Sequence, residues 1–275
     1  MRRIVSIGLF IISVAFSACN QPAPTQSSFS GKVILDGYGE TIDSSYYKVW
    51  SDSSWEEFYG DTSINGTTYT ILLSSDSSEY IYDSSGNYFG FKLPHIYGEN
   101  IIVFDSALAS LPDTLIGNLT YVLQTTFSFQ GAQYGLIDNE TLVDSGTVGT
   151  PFGIFTNCPG IQSSQVIVTG GSVIAGSNVV YWLAKGPSVI EQDFYDSFYG
   201  YYLYSITMSY GVVNGQTWNV GLSKSQLIHS GKVASLQNSI SVNKKSLPDI
   251  RSLASKILRG IRRGPLGLNK RWFGK

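Results

Sequence analysis

The chain has 275 residues, 43% of them hydrophobic and 13% aromatic, with two cysteines and a formal net charge of −2. So few cysteines exclude a disulfide framework, and stability must come from an apolar core. The charge is unevenly placed: residues 20–241 carry six lysines against nineteen acids, a net of −13, whereas residues 242–275 carry ten basic residues and one aspartate, a net of +9. An acidic body excludes nucleic acid as a partner, because it repels phosphates and offers no counterion release.

At the start of the chain, Arg2 and Arg3 precede an apolar run from Ile4 to Phe16 that ends on Ser17, Ala18 and Cys19. The run is too short to cross a bilayer and has the charge and length of an export signal. "FSAC" resembles the lipobox of bacterial lipoproteins, with Phe16 standing where that family usually has Leu. The resemblance implies cleavage after residue 18, acylation of the Cys19 thiol and a membrane partner reached through the lipid. The absence of Asp directly after Cys19 then implies the outer membrane, facing the periplasm. Cleavage after Ser17, or retention of the run as an anchor, is the alternative. Residues 19–28, rich in Pro and Ser, read as an extended tether.

From 29 to 227 the composition, rich in Tyr, Ser, Thr, Val and Gly, predicts one all-β domain, largely antiparallel. Strands are expected at 31–36, 45–50, 68–74, 119–130, 163–169, 178–185, 200–209 and 216–221. Asn65-Gly66 predicts one hairpin turn, and "DSSGN" between two aromatic runs at 79–93 predicts another. Cys158 reads as a buried structural thiol, having no basic neighbour to ionise it.

"PFGIFTNCPGI" (151–161) and "VVYWLAKGPSVIEQDF" (179–194) resemble a strand, turn and strand of uncharacterised secreted bacterial proteins that curl an antiparallel sheet into a half-barrel. Tyr181, Ala184, Gly186, Val189 and Ile190 match that pattern, while Pro187 and Ser188 depart from it. The resemblance implies a half-barrel shaped like the periplasmic lipoprotein carriers, with a concave face suited to an acyl chain. A sandwich is the alternative architecture.

Catalytic motifs are sparse. His95 and His229 have no metal-ligand partner at useful spacing, "GGSVIAG" (170–176) lacks the lysine of a phosphate loop, and no G-x-S-x-G is present. No catalytic set, metal or cofactor is therefore assigned. Carboxylates cluster in "WEEFYGD" (Glu56, Glu57, Asp61) and in "EQDFYDSFYGYY", where Glu191, Asp193 and Asp196 lie among Tyr199, Tyr201 and other aromatics. On a strand Glu191 and Asp193 share a face, which suits a calcium contact, a glycan or an acid pair. A solvated sheet edge is the simpler reading. The weighing favours a binding or structural module, for an apolar ligand or an envelope partner, over a glycan-binding protein or a carboxylate-dependent hydrolase.

The basic tail, 228–275, opens a helix pattern at Ser246, with Pro248 in the first turn and Asp249 at the third position. Leu247, Ile250, Leu253, Ile257 and Ile261 recur at helical spacing, and Arg251, Lys256, Arg259, Arg262 and Arg263 take the other faces. This predicts an amphipathic helix near 247–260. It would lie on anionic lipid or lipopolysaccharide, or fold back onto the acidic body.

Overall fold

The computed structural model describes residues 29–92, 101–108 and 111–219, together with Ile250, Leu253, Ile257 and Leu258. Fifteen strands are described: β1 (Lys32–Ile34), β2 (Tyr47–Trp50), β3 (Trp55–Ile64), β4 (Thr67–Ser74), β5 (Glu79–Tyr82), β6 (Tyr88–Lys92), β7 (Ile101–Leu108), β8 (Thr114–Ile116), β9 (Thr120–Phe129), β10 (Ala132–Thr150), β11 (Gly153–Thr169), β12 (Ser172–Ala184), β13 (Ser188–Tyr195), β14 (Tyr202–Val213) and β15 (Gln216–Trp218). Each pairs antiparallel with its sheet neighbours, while β1 and β8 form a separate two-stranded ribbon.

Local turn chemistry builds the meander. Asn65 and Gly66 both take positive φ (51° and 80°), the geometry of a tight hairpin turn matched to strand twist, and they join β3 to β4. Asp83 Oδ1 accepts the N–H of Ser85 (2.8 Å) and of Asn87 (2.9 Å), fixing the β5–β6 turn as the sequence predicts. The strand, turn and strand of the family resemblance are the β12–β13 hairpin, which registers Ala184 against Ser188.

Non-local pairing closes the sheet. The first half of β14 pairs with β13, from Tyr195↔Tyr202 to Glu191↔Thr207. Its second half pairs with β2, from Met208↔Trp50 to Val212↔Tyr47. The ring β2-β3-β4-β5-β6-β7-β9-β10-β11-β12-β13-β14 is thus a twelve-stranded antiparallel barrel. This corrects the half-barrel and the sandwich: β14 is long enough to serve both neighbours, so the concave face expected for an acyl chain is enclosed.

The wall alternates in the sense expected of a barrel in water. Along β9, Thr125, Phe127 and Phe129 are buried while Gln124, Thr126 and Ser128 are exposed. A membrane-spanning barrel has the opposite pattern, apolar outside and polar inside. The inward rings are continuous: Tyr88 packs edge-on to Phe104 (4.9 Å between centroids), Phe104 on Phe127 (5.8 Å) and Phe127 on Tyr134 (5.4 Å).

At the seam, Lys48 of β2 is 1% exposed and ion-paired to Glu40, and its Nζ donates to the Val189 carbonyl of β13 at 3.4 Å. Tyr46 Oη donates to Glu56 Oε1 at 2.9 Å. A buried charge is tolerable only when paired in this way.

The described tail residues return to this core. Ile250, Leu253, Ile257 and Leu258 have helical backbone, and the last three are 1%, 0% and 1% exposed within the same apolar cluster as the wall. Tyr88 Oη donates to the Ile257 carbonyl at 3.3 Å. The remainder of the expected helix, with Arg251, Lys256, Arg259, Arg262 and Arg263, lies outside the described residues. So do the signal segment, Cys19, His95 and His229.

Truncating the ring stack should cost what an aromatic cavity costs. Phe127→Ala is expected to lower unfolding stability by about 3–5 kcal/mol in urea denaturation, whereas the outward neighbour Ser128→Ala changes it by less than about 0.5 kcal/mol.

Candidate functional site

The acidic and aromatic stretch of the sequence forms the β13–β14 hairpin. Its connection is held by Asp196, whose Oδ1 accepts the backbone N–H of Phe198 (2.9 Å) and of Tyr199 (2.6 Å). Asp196 N–H donates to the Tyr201 carbonyl (2.9 Å), and Gly200 N–H returns to the Asp196 carbonyl (3.0 Å). Gly200 supplies the positive φ, 71°, that this turn requires.

Rings project from this clamp into solvent. Phe198, Tyr199, Tyr201, Tyr202 and Tyr204 are 65%, 73%, 57%, 55% and 52% exposed. Tyr199 and Tyr201 lie nearly parallel, 13° between planes with centroids 6.3 Å apart. Phe194 stacks on Tyr204 at 4.6 Å, and Tyr195 meets Tyr202 edge-on at 5.8 Å.

Beside the hairpin is a pocket of about 100 Å³. Asn139, Ser164 and Asn178 line it from three adjacent strands, and Asp196, Ser197 and Phe198 line it from the turn. The turn packs closely here, since a Cβ on Gly176 would come 3.4 Å from Ser197 Cβ. Asn178 Oδ1 accepts Gln162 Nε2 at 2.9 Å, so the pocket wall is already ordered. Amides, hydroxyls and the Asp196 carboxylate line the pocket together with Val166 and Phe198.

The structure brings Asp196, Tyr199 and Tyr201 to one end of the barrel and holds Glu191 and Asp193 apart from the pocket. Those two lie on the wall face opposite Tyr181 and Gln192, in register with Trp182 and Val180. Trp182 Nε1 donates to Asp193 Oδ2 at 2.7 Å. Burial first, then Asp193 as charge and hydrogen-bond partner, raises the Glu191 carboxyl above its ordinary range. The other cluster diverges: Glu56 is buried at the seam, whereas Asp61 is exposed and bonds Thr70. Cys158 is buried, with its thiol 3.5 Å from the Phe155 carbonyl and pushed upward by burial. Among the described residues no group of three metal-ligating side chains converges.

Sequence reasoning did not find Asn139, Ser164 or Asn178, because only the fold places residues from three strands in one pocket. No family model matches the chain, and no curated protein matches it significantly. Among solved structures, a hypothetical lipoprotein, YmcC, from Escherichia coli (K12) aligns with 10% identity and a TM-score of 0.32, covering 61% of this chain and 89% of that one. An exported protein with a YmcC-like fold from Bacteroides fragilis aligns with 9% identity and a TM-score of 0.25, covering 60% and 92%. These scores carry no fold or function across, and the barrel assignment rests on the strand order of this chain.

A second acid pair lies inside the barrel. Asp138 and Glu140 on β10 are 0% and 2% exposed, facing Ser163 and Gln165 of β11. Ser163 Oγ donates to Asp138 Oδ1 at 2.7 Å, and Gln165 Nε2 donates to Ser163 Oγ at 2.8 Å. Burial, and then Asp138 as a neighbouring charge, pushes the Glu140 carboxyl well above its ordinary value. Stability from a carboxyl raised on folding is present below the unfolded value, about 4.3, and is lost as pH rises through the folded value. Glu140→Gln is nearly the same size and cannot ionise. Urea unfolding across pH should therefore show the alkaline-side loss of stability in the wild type and a smaller loss in Glu140→Gln.

Proposed function

We propose that this protein is a lipid-anchored, non-catalytic binding module of a bacterial envelope, held by Cys19 to the outer membrane and facing the periplasm. The observation that carries this reading is the placement of Cys19 after a short apolar run and ahead of a Pro- and Ser-rich tether. The barrel is compatible with it, because the outward positions 124, 126 and 128 of β9 are polar and Phe127 and Phe129 face inward, the reverse of a membrane-spanning wall. Two or more acyl chains, at about 0.8 kcal/mol per buried methylene, hold such a body stably where one chain would not.

Binding is favoured over hydrolysis by the carboxylates themselves. Asp196 is committed to the turn, and Asp193 is committed to the Trp182 indole N–H. Burial of Leu253, Ile257 and Leu258 in the core favours a tail that folds back onto the body. The role proposed for Arg251, Lys256, Arg259, Arg262 and Arg263 is attraction to anionic lipid or lipopolysaccharide beside the anchor.

Labelling cells that make the full chain with an alkyne fatty acid, followed by mass spectrometry, tests the anchor. The expected result is an acylated Cys19 at the new amino terminus, with label and membrane association both lost in Cys19→Ala. A processed chain with a bare thiol, or a chain that keeps residues 1–18 without acylation, overturns the proposal.

A further inference from the structure

We infer that the β13–β14 hairpin and the pocket beside it bind a neutral carbohydrate chain. The inference rests on the binding-module reading and is independent of anchoring at Cys19.

The first support is the rings. Seven of the eleven residues from 194 to 204 are aromatic, and five of the seven are more than half exposed. A contiguous aromatic patch of this kind in a water-facing protein marks a contact surface. Tyrosine dominates it, offering a flat apolar face and a hydroxyl with little side-chain entropy to lose on binding. The C–H face of a pyranose stacks on such a ring. Tyr199 and Tyr201 run near-parallel, 6.3 Å apart, and stay 73% and 57% exposed, so each keeps ring surface for a sugar to stack on.

The second support is the pocket chemistry. Asn139, Ser164, Ser177, Asn178 and Ser197 contribute amides and hydroxyls at the foot of the hairpin, and Phe198 stands at the rim. These uncharged groups, with one carboxylate, Asp196, beside aromatic faces, match a ligand whose ring edges carry hydroxyls and whose ring faces carry C–H groups. A pocket of about 100 Å³ admits an exocyclic arm of one residue while the rest of the chain lies across the tyrosines.

Charge decides among ligands. No lysine or arginine lines the pocket, none occurs between Lys185 and Lys224, and residues 20–241 carry a net charge of −13. Phosphate, uronate and anionic headgroups are therefore repelled. The hairpin carries Asp193 and Asp196 and no basic residue, which opposes docking on an anionic lipid surface. The turn is also preorganised, because Asp196 fixes the backbone of both Phe198 and Tyr199 before a ligand arrives.

The test uses the full chain reconstituted into neutral-lipid nanodiscs free of detergent, titrated calorimetrically with neutral β-glucan and N-acetylglucosamine oligosaccharides. A polyuronate and anionic phospholipid vesicles serve as the charged arms. At least one neutral oligosaccharide should bind, and Tyr199→Ala and Tyr201→Ala should each weaken it about five- to tenfold while leaving the far-UV spectrum unchanged. Asn139→Ala should weaken it without touching the rings. Preference for polyuronate or anionic vesicles through the same tyrosines overturns the neutral-glycan assignment and leaves the binding module standing. Binding of no probe, or binding indifferent to both tyrosine substitutions, overturns the site itself.

Discussion

Closure of the sheet by β14 is the constraint on which the rest of this structure depends. One twelve-residue strand bonds β13 with its first half and β2 with its second, which removes both free edges of an otherwise open meander. Everything facing inward is then cut off from water. Polar groups on that side must find partners in the wall, as Lys48 does with Glu40, and Asp138 with Ser163. The described pocket lies on the outer wall, beside the hairpin that forms half of the seam and carries the exposed rings.

Much of the local architecture was legible in the sequence, because it is written in short-range chemistry. Asn65-Gly66 and the Asp83 turn specify their hairpins within five residues. β10 was not legible, although it is the longest strand at nineteen residues. Its inward positions run Tyr134, Leu136, Asp138, Glu140, Leu142, and two acids in the middle erase the alternation that marks a half-buried strand. They are tolerated only because β11 places Ser163 and Gln165 opposite, a fact invisible without the register. Closure was hidden for a similar reason, since nothing near β14 in the sequence states that its far half meets a strand about 160 residues earlier.

The candidate site divides along the same line. Aromatic density at 194–204 is a local signal and marked the segment, though not the hairpin it forms. That Glu191 and Asp193 share a face was also readable, from strand periodicity. The bond of Asp193 to Trp182, and the arrival of Asn139, Ser164 and Asn178 beside Asp196, follow from pairings among β10, β11, β12 and β13. The basic tail shows both sides: its apolar spacing was plain, and the packing of Leu253, Ile257 and Leu258 against the barrel core required the fold.

Native-state hydrogen exchange of the amides along the seam tests barrel closure most directly. If β14 bridges β13 and β2, the amides of Gln192–Phe194, Ile206–Val212 and Lys48–Val49 that enter the ladders exchange together, through global unfolding, and respond alike to urea. Exchange of the β2 or β13 set at the rapid, urea-insensitive rate of an unpaired edge, with the β9–β10 ladder still protected, would contradict closure and return the protein to an open half-barrel.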